Sequence, residues 1–142
     1  MDIEKQQINI FQNPSIQKIA IANPKHAPYG RAAKEALEYY HLFDQVSSKL
    51  VFGENVAQAA QFAESGAADI GIIALSLAVA SPMKKQGIYW EIPQNAYTLL
   101  EQEGVILEWA KEKKAVYIWK EFLLSDSART ILSRYHFSLP MK

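Results

Sequence analysis

Apolar positions along this chain fall into two rhythms, and their alternation predicts its architecture. Short unbroken apolar runs predict buried strands at residues 18–22, 49–52 and 68–73, the first stopped by Asn23 and Pro24. Between them apolar residues recur at i, i+3, i+4 and i+7. Ala33, Ala36, Leu37 and Tyr40 do so after a loop over residues 25–30, and Val56, Ala59, Ala60 and Ala63 after a turn at 53–55. These spacings predict a helix from Arg31 to about His41 and a second one opening at Val56, capped by Asn55 and closed by Gly66. The third strand leads through residues 74–76 into a short helix over 77–80. Strand and helix alternating at this distance predict βαβ units, a mostly parallel sheet and helices on both of its faces.

The remaining sequence has a different grain. Residues 87–90 and 105–109 read as strands. Two consecutive helices follow, the first burying Ala115, Ile118, Trp119 and Phe122, the second opening behind Ser125 and burying Ala128, Ile131, Leu132 and Tyr135. Residues 1–15 read as a weak strand or an irregular lead-in. The expected organisation is a lead-in over 1–16, a βαβ lobe over 17–95, and a return strand with C-terminal helices over 96–142. There is no internal repeat and no Ser/Gly-rich linker.

Composition narrows the function classes. A chain of 142 residues, 49% apolar and 21% charged, has the size of one folded domain and is no disordered tail. Its 15 basic and 15 acidic residues cancel, against the basic surplus that nucleic-acid binding requires. Lys111, Lys113 and Lys114 cluster, but with Glu112 among them they read as a solvated face. With no cysteine there are no disulfides, thiolate nucleophiles or Cys-type metal sites. The apolar run over 70–83 is too short to span a membrane, and residues 1–7 carry no signal-peptide segment.

The sequence offers no enzyme machinery. It has no GxSxG elbow, GxxxxGK[ST] loop, GxGxxG fingerprint or HExxH pair. His26, His41 and His136 lack metal-type spacing and read as surface or capping residues. The acid pairs Glu35/Glu38 and Glu101/Glu103 sit in polar stretches and read as solvated, while Trp90, Trp109 and Trp119 read as core. No metal or cofactor is expected. What remains is backbone: two helices open after consecutive strands, at residues 27–30 and 54–56. In a parallel sheet both N-termini emerge at the carboxyl edge of the strands, where open α/β folds bind ligands. Unpaired N–H groups and the positive dipole end suit an anion there. Pro28 fits a first helical turn, Gly30 permits close backbone approach, and residues 74–76 would add a third helix start to the rim.

Several stretches carry a resemblance. Ile21-Ala-Asn-Pro-Lys-His-Ala-Pro-Tyr-Gly-Arg-Ala-Ala-Lys-Glu-Ala-Leu37 resembles the A-x-x-P-x-x-x-P-x-G…A-K-E-x-L pattern of the periplasmic molybdate-binding proteins of ABC transporters, members of the type 2 periplasmic-binding-protein superfamily. Residues 49–59, 64–71 and 74–76 are also similar, and so are residues 122–129 and 134–137, so the resemblance runs from Ile19 to Phe137. It implies an extracytoplasmic, two-lobed, non-enzymatic receptor that holds a tetrahedral oxyanion, molybdate or tungstate, in its cleft and delivers it to a transporter permease. By position, Tyr29 and Val56 would donate backbone N–H groups, while Gly30 and Asn55 would shape their turns. A third contact falls at Ala74, where some members carry a tyrosine hydroxyl. Alanine has no such donor, so that contact is lost, taken by Ser76, or made through backbone.

The family's N-terminal lobe has no counterpart here. The expectation is therefore one lobe, with C-terminal helices that in the family pack on the other. The expectation is oxyanion binding, or a truncated form that binds weakly or not at all, with exposed helix faces that favour self-association or a homodimer. The alternative reading is a ligand-sensing effector or interaction domain of the same fold.

Overall fold

In the computed structural model, which describes residues 2–80, 83–85 and 87–139, β1 (Ile19–Ala22) is the central strand of a three-stranded parallel sheet of order β2-β1-β3. Its partners are β2 (Leu50–Gly53), with Ile19 opposite Leu50 and Ala22 opposite Gly53, and β3 (Ile70–Gly71), with Ile19 opposite Ile70. All four β1 residues are buried. Alternate residues face opposite sides of a strand, so β1 offers Ile19 and Ile21 to one side and Ala20 and Ala22 to the other.

Each side has its own cover. On the isoleucine side lie α2 (Pro28–Tyr39), α3 (Phe43–Val46) and the N-terminal segment; Ile10, Phe11, Ile16, Leu37 and Val46 close the main core with Ile19 and Ile21. On the alanine side lies α4 (Val56–Glu64), where Ala59 meets Ala20 and Ala68 beside Phe62 and Ile73. These small side chains let α4 approach the sheet closely.

The α/β lobe, its parallel sheet and its flanking helices follow the pattern read from the chain, with corrections at the edges. The first long helix begins at Pro28 rather than Arg31, because proline is pre-set for a first helical turn. The third strand shrinks to two residues, and the short helix after it, α5 (Leu75–Ala78), starts earlier than expected. The end of the apolar run, at positions 81 and 82, lies outside the described residues. Residues 1–15 form no strand: a helical turn, α1 (Ile3–Gln6), leads into a 3-10 segment (Gln7–Gln12) that buries Ile8, Ile10 and Phe11. The strands expected at 87–90 and 105–109 are absent. Residues 87–90 have no regular structure, residues 105–107 lead into a 3-10 segment (Glu108–Ala110), and among the described residues no strand pairs with either run.

The chain divides into two compact units, residues 1–100 and 101–142. The second holds α6 (Lys114–Leu123) and α7 (Asp126–Arg134), which pack on each other. Ser125 caps α7, its Oγ accepting the Ala128 N–H at 3.3 Å and donating to the Phe122 carbonyl at 2.6 Å. The helix ends on His136 in the left-handed region, φ 59°, with the Phe137 N–H donating to the Leu132 carbonyl at 3.1 Å. The burial expected of these helices is not found. Ala128 is buried, but Ala115, Ile118, Trp119, Phe122, Ile131 and Tyr135 are exposed. Trp109 is exposed as well, under the Lys113 ammonium at 4.5 Å from the ring centre, and only Trp90 packs on the core.

Candidate functional site

Three helices follow three parallel strands, so the starts of α2, α4 and α5 all open at the carboxyl edge of the sheet. The ends of β1 and β2 are tied there by the Asn23 N–H, which donates to the Gly53 carbonyl at 2.7 Å. Asn23 also accepts the Lys25 N–H on its side-chain oxygen at 3.0 Å and the Ala27 N–H on its carbonyl at 2.9 Å, turning the chain into α2.

Two glycines set how tightly the helices meet the strands. A Cβ on Gly30 would strike the Ala22 carbonyl and lie 2.8 Å from the carbonyl carbon of Asn23. One on Gly53 would lie 2.8 Å from the Ala59 nitrogen. The first turns of α2 and α4 therefore rest directly on the strand ends.

Donors are left over at each start. Ala27 caps α2 with extended backbone and no side-chain bond; Gly30 and Arg31 donate back to its carbonyl, while the Tyr29 N–H meets no described acceptor. Asn55 caps α4, its Oδ1 accepting the Gln58 N–H at 3.0 Å. Gln58 answers by accepting the Glu54 N–H at 2.8 Å, and the Val56 and Ala57 N–H groups meet no described acceptor. Ala74 caps α5 without a side-chain bond, leaving the Leu75 and Ser76 N–H groups without a described acceptor. This pattern, with the dipole of α4 behind it, can hold an anion without a counter-charge.

The fold thus places Tyr29, Gly30, Asn55, Val56 and Ala74 all at helix starts on one edge. Gly30 and Ala74 are buried, Tyr29 and Val56 half-buried, and Asn55 is exposed. One participant went unread: Gln58 was legible as the last member of an Asn-x-x-Gln capping pattern. Tyr97, which carried no local signal, lines the depression beside α2 rather than the rim; burial first, then the Glu91 carboxylate and Tyr29, pushes its phenol above the ordinary range. Glu35, read as solvated, instead accepts the Thr98 N–H at 2.7 Å, and Glu38 pairs with Lys34 at 3.3 Å. His26, His41 and His136 are exposed, and His41 and His136 adopt the left-handed backbone that follows a helix. Two surface depressions, along α7 and between α2 and residues 95–98, exclude the rim. Among the described residues no group of three His, Asp or Glu could hold a metal, and no helix is long and apolar enough to cross a membrane.

A parallel-sheet lobe whose helix starts gather at one edge has the arrangement by which open α/β folds bind ligands. The chain matches the model of the bacterial extracellular solute-binding protein family over residues 2–138 and belongs to that family. It is 34% identical over 120 residues to the molybdate-binding protein ModA of Rhodobacter capsulatus, covering 84% of this chain and 46% of that protein. It is 33% identical over 130 residues to ModA of Azotobacter vinelandii, covering 92% of this chain and 52% of that one. Among solved structures, the periplasmic molybdate-binding protein of Azotobacter vinelandii superposes with a TM-score of 0.87 at 30% identity, over 95% of this chain and 59% of that one. A substrate-binding domain of a molybdenum ABC transporter from Clostridium difficile, described as putative, shares the fold at 22% identity and a TM-score of 0.69, over 94% of this chain and 58% of that one. The chain spans about half the length of the relatives it matches.

Proposed function

We propose that this chain forms one wall of an oxyanion site and serves as the substrate-binding component of an ABC transporter for molybdate or tungstate, outside the cytoplasm. The observation that supports this reading is the set of N–H groups that meet no acceptor among the described residues at three helix starts on one sheet edge. In it, Tyr29 and Val56 donate backbone N–H groups to the anion, Gly30 and Asn55 hold those turns, and the start of α5 behind Ala74 contributes through backbone or the Ser76 hydroxyl. Neutral donors stabilise a dianion without desolvating a cationic partner. The names of the relatives supply the ligand class. The partner implied is a transporter permease.

Isothermal calorimetry of the chain against molybdate, tungstate, sulfate and phosphate tests this. Heat with molybdate and tungstate is the expected result. Silence toward all four anions would remove the binding role from this chain.

A further inference from the structure

We propose that residues 94–98 are a latch on α2, a strap that opens and closes along that helix while the lobe beneath it stays folded. Both core clusters are complete without the strap: their members lie within residues 3–73, joined from beyond by Trp90. The helix under the strap has its own hold on the lobe, because Ala33 and Leu37 belong to the main core.

What fastens the strap is local. The Glu35 carboxylate on α2 accepts the Thr98 N–H at 2.7 Å, and the Asn95 side-chain amide donates to the Tyr39 hydroxyl at 3.0 Å. Between these two ties Ala96 is buried and Tyr97 half-buried. The strap also closes on itself. The Ala96 N–H donates to the Pro93 carbonyl at 3.0 Å and the Gln94 amide to the Tyr97 carbonyl at 3.3 Å, around a 3-10 turn (Gln94–Ala96). Its flanks give it freedom: among the described residues, 87–92 and 99–106 make no backbone hydrogen bond, and 101–105 are all exposed. A preformed turn carried between such runs, with one small side chain buried and two polar ties, opens at far lower cost than the core it rests on. Opening frees the Glu35 carboxylate and the Tyr39 hydroxyl, which line the depression beside α2 together with the strap.

Amide hydrogen exchange of the full chain, followed by NMR in about 0–1 M urea, tests the proposal. The Ala96 and Thr98 amides should exchange at least about a hundredfold faster than those of β1, and urea that speeds exchange in β1 should leave them unchanged. Removing a tie with Glu35→Ala should speed Ala96 and Thr98 together by roughly tenfold, the loss of one hydrogen bond, with β1 unaffected. Asn95→Ala, at an exposed position, should do the same. Glu38→Ala, on the same helix but paired with Lys34, should change neither amide. Exchange of Ala96 and Thr98 at the rate and urea dependence of β1 would overturn the proposal, since the strap would then open only when the lobe unfolds. So would an Ala96 amide indifferent to both Glu35→Ala and Asn95→Ala, since the ties would then not act on one moving piece.

Discussion

Lys18 and Asp69 bind each other in both directions: the Lys18 N–H donates to the Asp69 carboxylate at 2.8 Å, and the Asp69 N–H donates to the Lys18 carbonyl at 3.0 Å. The same carboxylate oxygen accepts the Gln17 N–H at 2.8 Å. This clasp joins the leading ends of β1 and β3, at the edge of the sheet away from the proposed anion rim. Hydrogen bonds from Lys18, then Gln17, hold the Asp69 carboxyl below its ordinary range.

A carboxylate whose folded-state pKa is depressed adds stability above its unfolded value, and that stability is lost as pH falls through the folded one. Thermal midpoints should therefore drop on acidification below about pH 4. Asp69→Asn, which keeps an acceptor but no titration, should show a shallower acid slope. Equal slopes for the two proteins would contradict this role.

Val56→Pro isolates one proposed donor. Proline fits a first helical position, and Asn55 already has the extended backbone, φ −145° and ψ 174°, that precedes proline readily. The helix should survive while one N–H is lost. A hydrogen bond to a charged group contributes about 1.5–3 kcal/mol, so molybdate affinity should fall roughly ten- to a hundredfold with little change in melting. Unchanged affinity by calorimetry would remove Val56 from the site.

Asn55 allows capping and binding to be separated. Asn55→Ala should cost about 0.5–2 kcal/mol in urea unfolding through loss of the cap. Asn55→Asp keeps a capping oxygen but sets a negative charge where the anion would sit, so stability should hold while affinity collapses. An aspartate variant that binds as well as wild type would place the ligand elsewhere.

Gly30→Ala tests the contact between α2 and β1. The new methyl would press on the backbone at Ala22 and Asn23, which cannot rotate aside as a side chain could. A loss of about 1–3 kcal/mol is expected in chemical denaturation; a neutral substitution would mean that the turn has slack.

Residues 94–98 are fastened to α2 by Glu35, with Asn95 also donating to the Tyr39 hydroxyl at 3.0 Å. Removing the acceptor in Glu35→Ala should cost about 1 kcal/mol locally and speed hydrogen exchange at Thr98, whereas Glu35→Gln should largely restore protection. Exchange at Thr98 that is indifferent to both changes would show that Ala96 burial alone holds the segment.

The lobe was legible where pattern and punctuation agreed. For β1 and β2 an apolar run ended at Asn23 or Gly53, and for α4 and α7 the periodic face followed a capping Asn55 or Ser125. Where an apolar run lacked such support, the reading failed. Residues 87–90 and 105–109 are apolar enough for strands, but a strand is defined by the neighbour that accepts its hydrogen bonds, and none lies beside them. Ile118, Trp119 and Phe122 have helical spacing and lie on a helix, yet spacing identifies a face without naming what covers it. The rim was readable as a place, from the order of strands and helices. Tyr97 was not, because its surroundings are assembled by tertiary contacts far apart in sequence.

The alanine face of β1 bears on kinetics. With Ala20 against Ala59 and no room for a methyl at Gly53, the start of α4 is held on the sheet without any anion. The entropy of aligning its N–H groups is thus lost during folding rather than at encounter. If the proposed anion binds there, its affinity should be expressed mainly as slow release, with capture governed by diffusion.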